Sequence, residues 1–211
     1  MGKAAKGRRH PREPGDRVTW VTVDLEALEM ARGYDGFLRG KPEPVVLVAV
    51  FLVAPAGTRL LARSLQRFHP ASHMPCVALP DTGRLLNVRT GAGAATSLLV
   101  LGVALEEDGG GDISRLYAVL ERPADLHLRV LDAPLPQALE EHAAHAWAAP
   151  PARVDVLVGG VDAGRSCASD KWVGAAVLVV PSATRATVEG RLHFTHGEGQ
   201  NDWTARLTVR L

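Results

Sequence analysis

Cysteine is nearly absent from this 211-residue chain: only Cys76 and Cys167 occur, far apart, and neither belongs to a pair at metal-ligand spacing. A single bridge between them stays open, but two ordinary thiols are the expectation. No run of 18 apolar residues exists, so no membrane-spanning helix is expected. The opening MGKAAKGRRHPREPGDR lacks an apolar core after its positive charges and does not read as a secretory signal, which makes a cytoplasmic protein or a particle component the expectation. Signatures of catalysis are also missing. There is no G-x-S-x-G elbow, and the glycines of TGAGAAT and DGGGD lack the lysine and helix that phosphate cradling requires. Strands do not alternate with helices in βαβ units, which argues against a Rossmann-type sheet. Enzymatic activity is therefore not expected.

The formal net charge of +1 hides an asymmetry. Residues 1–17 carry Lys3, Lys6, Arg8, Arg9, Arg12 and Arg17 against Glu13 and Asp16, a net of +4 that leaves −3 for the remainder. A basic arm, 1–17, on a mildly acidic body, 18–211, is the expected organisation. Such an arm can contact nucleic acid, anionic lipid or an acidic neighbour through non-specific electrostatics, or can remain a solvated leader.

What is present in quantity is strand pattern. Val18–Leu25 alternates with period two, and Val45–Val53 is a continuous apolar run suited to a strand buried on both faces. Leu85–Arg89, Ser97–Leu105, Ile113–Leu120 and Leu126–Leu131 follow as strands, while Thr58–Phe68 suits either a strand or a short helix. The one expected helix covers 136–148, with proline at its start, alanine throughout and Pro150-Pro151 beyond it. Strands are then expected at Val154–Val158, Ala175–Val180, Thr187–Phe194 and Trp203–Leu211; the last places Trp203, Ala205, Leu207, Val209 and Leu211 on one face. About nine or ten strands and one short helix make a single all-β antiparallel sandwich, of C-two-like or jelly-roll-like form.

The stretch Val154–Val180 sets a loop holding Asp162, Ser166, Ser169 and Asp170 between two strands, closed by Trp172-Val173-Gly174. It resembles the later strand pair of calcium- and phospholipid-binding C-two-type domains, in which acidic loop residues precede a hydrophobic residue and glycine. The opening strand, the loop with Tyr34-Asp35-Gly36, and Glu43-Pro44 leading into the next strand are similar to that family's first calcium loop. The resemblance covers about a third of the chain. It implies that Asp35, Glu43, Asp162 and Asp170 gather around one calcium ion, with backbone carbonyls and water completing six to eight oxygens. It further implies that Phe37 or Trp172 inserts shallowly at an anionic membrane surface. The plain alternative is that these acids cap turns.

Other clusters are weaker. His142 and His145 lie three apart after Glu140-Glu141, which is not an HExxH pattern. His69, His73 and Cys76 could hold zinc but lack a fourth ligand at matching spacing. His193 and His196 read as marking a turn. Arg165 beside Cys167 could lower a thiol pKa, although a lone cysteine without a base reads as inert. Two functions follow as expectations: a non-enzymatic interaction module binding a protein partner or membrane surface through acidic loops, or a subunit of a large self-assembling particle using its basic arm.

Overall fold

The computed structural model describes residues 19–33, 42–54, 56–71, 73–90, 96–131, 149–181, 187–195 and 201–211. The basic arm and the helix expected over 136–148 lie outside the described residues. In chain order the elements are β1 (Thr19–Arg32), β2 (Pro44–Ala54), β3 (Gly57–Arg67), β4 (Cys76–Ala78), β5 (Arg84–Thr90), β6 (Ser97–Glu106), α1 (Gly111–Val119), β7 (Leu126–Val130), β8 (Ala149–Val158), β9 (Val161–Asp162), β10 (Lys171–Pro181), β11 (Thr187–Thr195) and β12 (Asp202–Arg210). A single 3-10 turn, Pro123–Asp125, precedes β7.

Two antiparallel sheets make a β-sandwich. Sheet A runs β11-β12-β1-β4, with β5 pairing the first half of β1 on the same side as β4. Sheet B runs β3-β2-β6-β10-β8-β7, with β9 paired to β8. Sheet A follows the alternation read in the sequence. Val21, Val23 and Leu25 of β1 and Trp203, Ala205, Leu207 and Val209 of β12 all point into the core. The alternation in β1 breaks at Leu25 because Glu26 is an extra residue: Leu25 pairs with Leu207 and Ala27 with Arg206. Beyond that bulge Leu28 and Met30 return to the core, so β1 continues to Arg32.

Sheet B explains the uninterrupted apolar runs. Every residue of β6, and all of β2 but its last, is buried. Val46, Val48, Val50 and Leu52 of β2 face sheet A with Leu98, Val100 and Ala104 of β6. Their neighbours Val45, Leu47, Ala49, Phe51, Leu99, Leu101 and Val103 face the other way into a second core. One of the two sheets curls into a half-barrel, and the second core of sheet B is completed by Ile113, Leu116 and Leu120 from α1 and the turn after it. A strand with a core on each face has no polar side, which is why periodicity vanishes there.

The two sheets approach closely where glycine replaces a side chain. A Cβ on Gly102 of β6 would stand 2.7 Å from Leu192 Cδ1 and 3.0 Å from Phe194 Cζ, both from sheet A. Gly190 of β11 makes the reciprocal space for Leu178 of β10.

Two sequence expectations change here. Ile113–Leu120, expected as a strand, belongs to α1 and its C-terminal turn. Its apolar residues Ile113, Leu116 and Leu120 recur at helical rather than alternating spacing. Thr58–Phe68, which suits either a strand or a short helix in sequence, forms β3 (Gly57–Arg67) at the end of sheet B, with Leu61 bulged where Val50 pairs with Ala62 and Phe51 with Leu60. Both cysteines are free. Among the described residues no helix is long and apolar enough to cross a membrane.

Candidate functional site

Three loops meet at one end of sheet B because the central strands are in register there. Pro44 of β2 pairs with Glu106 of β6, and Glu106 with Lys171 of β10. Glu43, the loop after β6 and the loop before β10 are thereby neighbours, and the Glu107 N–H donates to the Glu43 carbonyl at 3.0 Å.

The segment after β6, Glu107 to Gly110, turns into α1 through Gly110, whose φ of 72° is a left-handed conformation that suits glycine. No side chain at the Gly110 cap position satisfies the helix's first amides. A carboxylate from nearly sixty residues away does so. Asp170 Oδ1 accepts the N–H groups of Asp108 (3.1 Å), Gly109 (2.8 Å) and Gly110 (2.6 Å). Its Oδ2 accepts those of Asp112 (2.9 Å) and Ile113 (3.1 Å). The negative charge also sits at the positive end of the helix dipole.

The arrangement is reciprocal. Asp112 Oδ2 accepts the N–H groups of Ala168 (2.7 Å), Ser169 (2.7 Å) and Asp170 (3.1 Å) together with the Ser169 hydroxyl at 3.0 Å. Its Oδ1 receives Arg115 at 2.9 Å, and Arg115 also donates to the Ser166 carbonyl at 3.0 Å. Each aspartate therefore organises the backbone around the other. The Ser169 N–H, helped by those of Asp170 and Ala168, holds the Asp112 carboxyl down to about 2 despite its burial. Burial pushes Asp170 up, but the N–H groups of Gly109, Ile113, Gly110 and Asp108 outweigh it and keep its pKa below the ordinary range.

Arginines of β3 fasten the same region to the sheet edge. Arg67 makes a two-pronged pair with Glu107, both contacts at 2.9 Å, which lowers the pKa of Glu107. Arg63 stacks 4.1 Å over the Tyr117 ring and also pairs with Glu121 and the Tyr117 carbonyl.

The loop after β8 begins with a tight hairpin at Gly159 (φ 56°) and Gly160 (φ 83°), where Val158 pairs with Val161. Asp162 then closes a turn of its own: its Oδ1 accepts the N–H groups of Gly164 at 2.9 Å and Arg165 at 3.2 Å. Gly164 lies so close to the indole of Trp172 that a Cβ there would be 2.9 Å from its Cδ1. The Cys167 thiol donates to the Ala163 carbonyl at 3.3 Å, and burial, reinforced by the charge of Asp112, pushes its pKa up to about 11. The thiol pKa is thus raised rather than lowered, and the arginine that opposes the rise is Arg115 rather than Arg165.

Beside this turn opens a cleft of about 670 Å³. Its lining includes Trp172, Arg165, Asp162, Arg129, Arg153, Asp155 and Thr195. Trp172 is half-buried, Arg165 exposed, and Val161 at the loop tip is 59% exposed.

Of the residues tied to calcium by the resemblance, Glu43, Asp162 and Asp170 do come to the same end of sheet B, with Trp172 beside them. Asp35 and Phe37 lie outside the described residues, as do Lys3, Lys6, Arg8, Arg9 and Arg12 of the arm. Asp170 is engaged by five amides and Asp162 by two, which is the turn-capping chemistry. Among the described residues no group of three or more His, Cys, Asp or Glu side chains is arranged to hold a metal ion. His69 lies 3.8 Å from Asp81, and the Cys76 thiol is 3.4 Å from Met74 Sδ. His193 sits in β11 with its Nε2 2.8 Å from Asp202, which lowers the Asp202 pKa; His142, His145 and His196 lie outside the described residues. The sequence reading missed Asp112, whose local signal is only an acid after three glycines. No protein-family model matches the chain, and no curated protein matches it.

Proposed function

We propose that this chain is a non-catalytic interaction module whose protein partner docks on the loop end of sheet B, over the segments 107–112 and 159–172. The observation that carries this reading is the reciprocal Asp112–Asp170 lock, which joins two loops from distant parts of the chain into one preformed surface. Loops already ordered in the free protein need not be ordered on binding, and that saving favours affinity. The surface offers Trp172, Arg165 and the exposed Val161, and a tryptophan and an arginine are residue types that dominate binding energies at interfaces. Asp162 and Asp170 act here as builders of the surface rather than as calcium ligands, because both oxygens of Asp170 and the Oδ1 of Asp162 already accept backbone amides.

A photo-crosslinking residue at position 168, an exposed alanine in the same segment, with a control at position 191 on the outer face of sheet A, tests the reading in cells that make the protein. The expected result is one protein captured from position 168, not from 191, and lost in Trp172→Ala. Capture from 191 alone would overturn it. So would a calcium-insensitive giant particle in light scattering with no crosslink from 168, which favours the assembly subunit.

A further inference from the structure

We propose that Met30, Met74 and Cys76 form a binding site for copper(I), with the Cys76 thiolate and two thioethers as its three sulfur ligands. The inference goes beyond the docking surface and does not depend on it. Of the chain's three methionines and two cysteines, these three residues come together where β4 pairs with β1. Met30 is the direct cross-strand partner of Cys76, so their side chains leave the same face of sheet A. The Cys76 Sγ stands 3.4 Å from Met74 Sδ. A Cβ on Gly33 would meet Met74 Cε at 3.2 Å and Met30 Cε at 3.3 Å, so both thioether ends reach toward one point beside Gly33.

The identity of the ion follows from the ligands. Thiolate and thioether sulfurs are soft donors and select a soft cation such as copper(I). Structural zinc takes four nitrogen, oxygen or thiolate ligands, and among the described residues no group of three or more His, Cys, Asp or Glu side chains is placed to supply them. Copper(I) is satisfied by three sulfurs. At a metal–thiolate distance of about 2.3 Å, a trigonal site spaces its sulfurs about 4.0 Å apart, so the Cys76–Met74 pair opens by a fraction of an ångström to admit the ion. The site is also within reach of solvent. Met30 is buried and anchors it in the core, while Met74 and Cys76 are half-buried at the core's edge. Binding replaces the thiol proton with the copper ion, without change of oxidation state, and releases one proton per chain. Packing alone would be served by leucine at positions 30 and 74, so the sulfur atoms themselves are the feature to test.

Titration of the full chain with copper(I), kept reduced by ascorbate under anaerobic conditions and in competition with the chelator bicinchoninate, tests this. A single ion per chain is expected, with thiolate-to-copper absorption in the ultraviolet and only sulfur neighbours in X-ray absorption. Cys76→Ser should abolish uptake, whereas Cys167→Ser should leave it unchanged. Met30→Leu and Met74→Leu, which conserve volume, should each weaken binding about tenfold or more, since losing even an outer-shell partner costs about 10–100-fold. Copper should raise the melting temperature of the wild type but not of Cys76→Ser, and melts without copper check that each variant is folded. No uptake against bicinchoninate, full uptake by folded Cys76→Ser, or unchanged affinity in the double variant Met30→Leu/Met74→Leu would each overturn the inference. So would nitrogen in the copper shell, which points instead to His69 and His73.

Discussion

Removing the Asp170 carboxylate should be among the most damaging single changes in this protein. In Asp170→Ala the buried amide of Ile113 loses its acceptor, an orphan that costs about 1–3 kcal/mol, and that of Asp112 keeps only the longer contact to the Ser169 hydroxyl at 3.3 Å. The amides of Asp108, Gly109 and Gly110 are half-buried, so water replaces part of what they lose. The left-handed Gly110 then has nothing holding it, and the first turn of α1 carries an unneutralised dipole. A loss of about 3–5 kcal/mol is expected, a large share of the roughly 5–15 kcal/mol that folded domains possess. Chemical denaturation of wild type and variant measures it directly. The reciprocal geometry adds a sharper signature: Asp112→Asn and Asp170→Asn should be non-additive by more than about 1 kcal/mol in a double-mutant cycle. Both carboxyls have depressed pKa values in the folded state, so their stabilisation is present above about pH 4; that of Asp112 is lost as pH falls toward about 2, and that of Asp170 as pH falls through its own lowered pKa. That acid-side loss should be smaller in the double variant. A destabilisation by Asp170→Ala below about 1 kcal/mol, or strict additivity, would refute the reasoning.

Three further changes probe other parts of the architecture. Gly102→Ala forces a methyl group against Leu192 and Phe194 where the sheets meet, and should cost about 1–3 kcal/mol by thermal or chemical unfolding. Arg63→Ala removes the cation over Tyr117 and its tie to Glu121, and should cost about 1–2 kcal/mol, whereas Arg63→Lys keeps the charge but loses the planar stack and recovers only part. Cys167 should be alkylated very slowly at pH 8 with its rate rising through about pH 11, as followed by mass spectrometry of the labelled peptide.

The strands were legible wherever burial is one-sided or total. Trp203 to Val209 alternates because only one face of β12 meets the core, and Val45 to Val53 is continuous because β2 has a core on both faces. The first strand was read short because the bulge at Glu26 shifts the alternation by one residue, a change with no local marker. Helix α1 was read as a strand because its nine residues follow a glycine run, and its start is capped by no neighbouring side chain. Its true cap, Asp170, was conspicuous in the sequence as an acid in a loop, but its partners are amides about sixty residues earlier. A carboxylate that recognises backbone leaves no residue-type signature on its partners. For the same reason acids gathered at one end of a sandwich read as metal ligands until the donors around them are seen.

Native-state amide hydrogen exchange tests most directly whether the loop end is a preformed surface. The lock predicts that the amides of Gly109, Gly110, Asp112, Ile113, Ser169 and Asp170 exchange as slowly as those of β2 and β6, opening only with the whole domain. Fast exchange at these six positions while β2 and β6 stay protected would contradict it, and with it the preformed surface on which the proposed function stands.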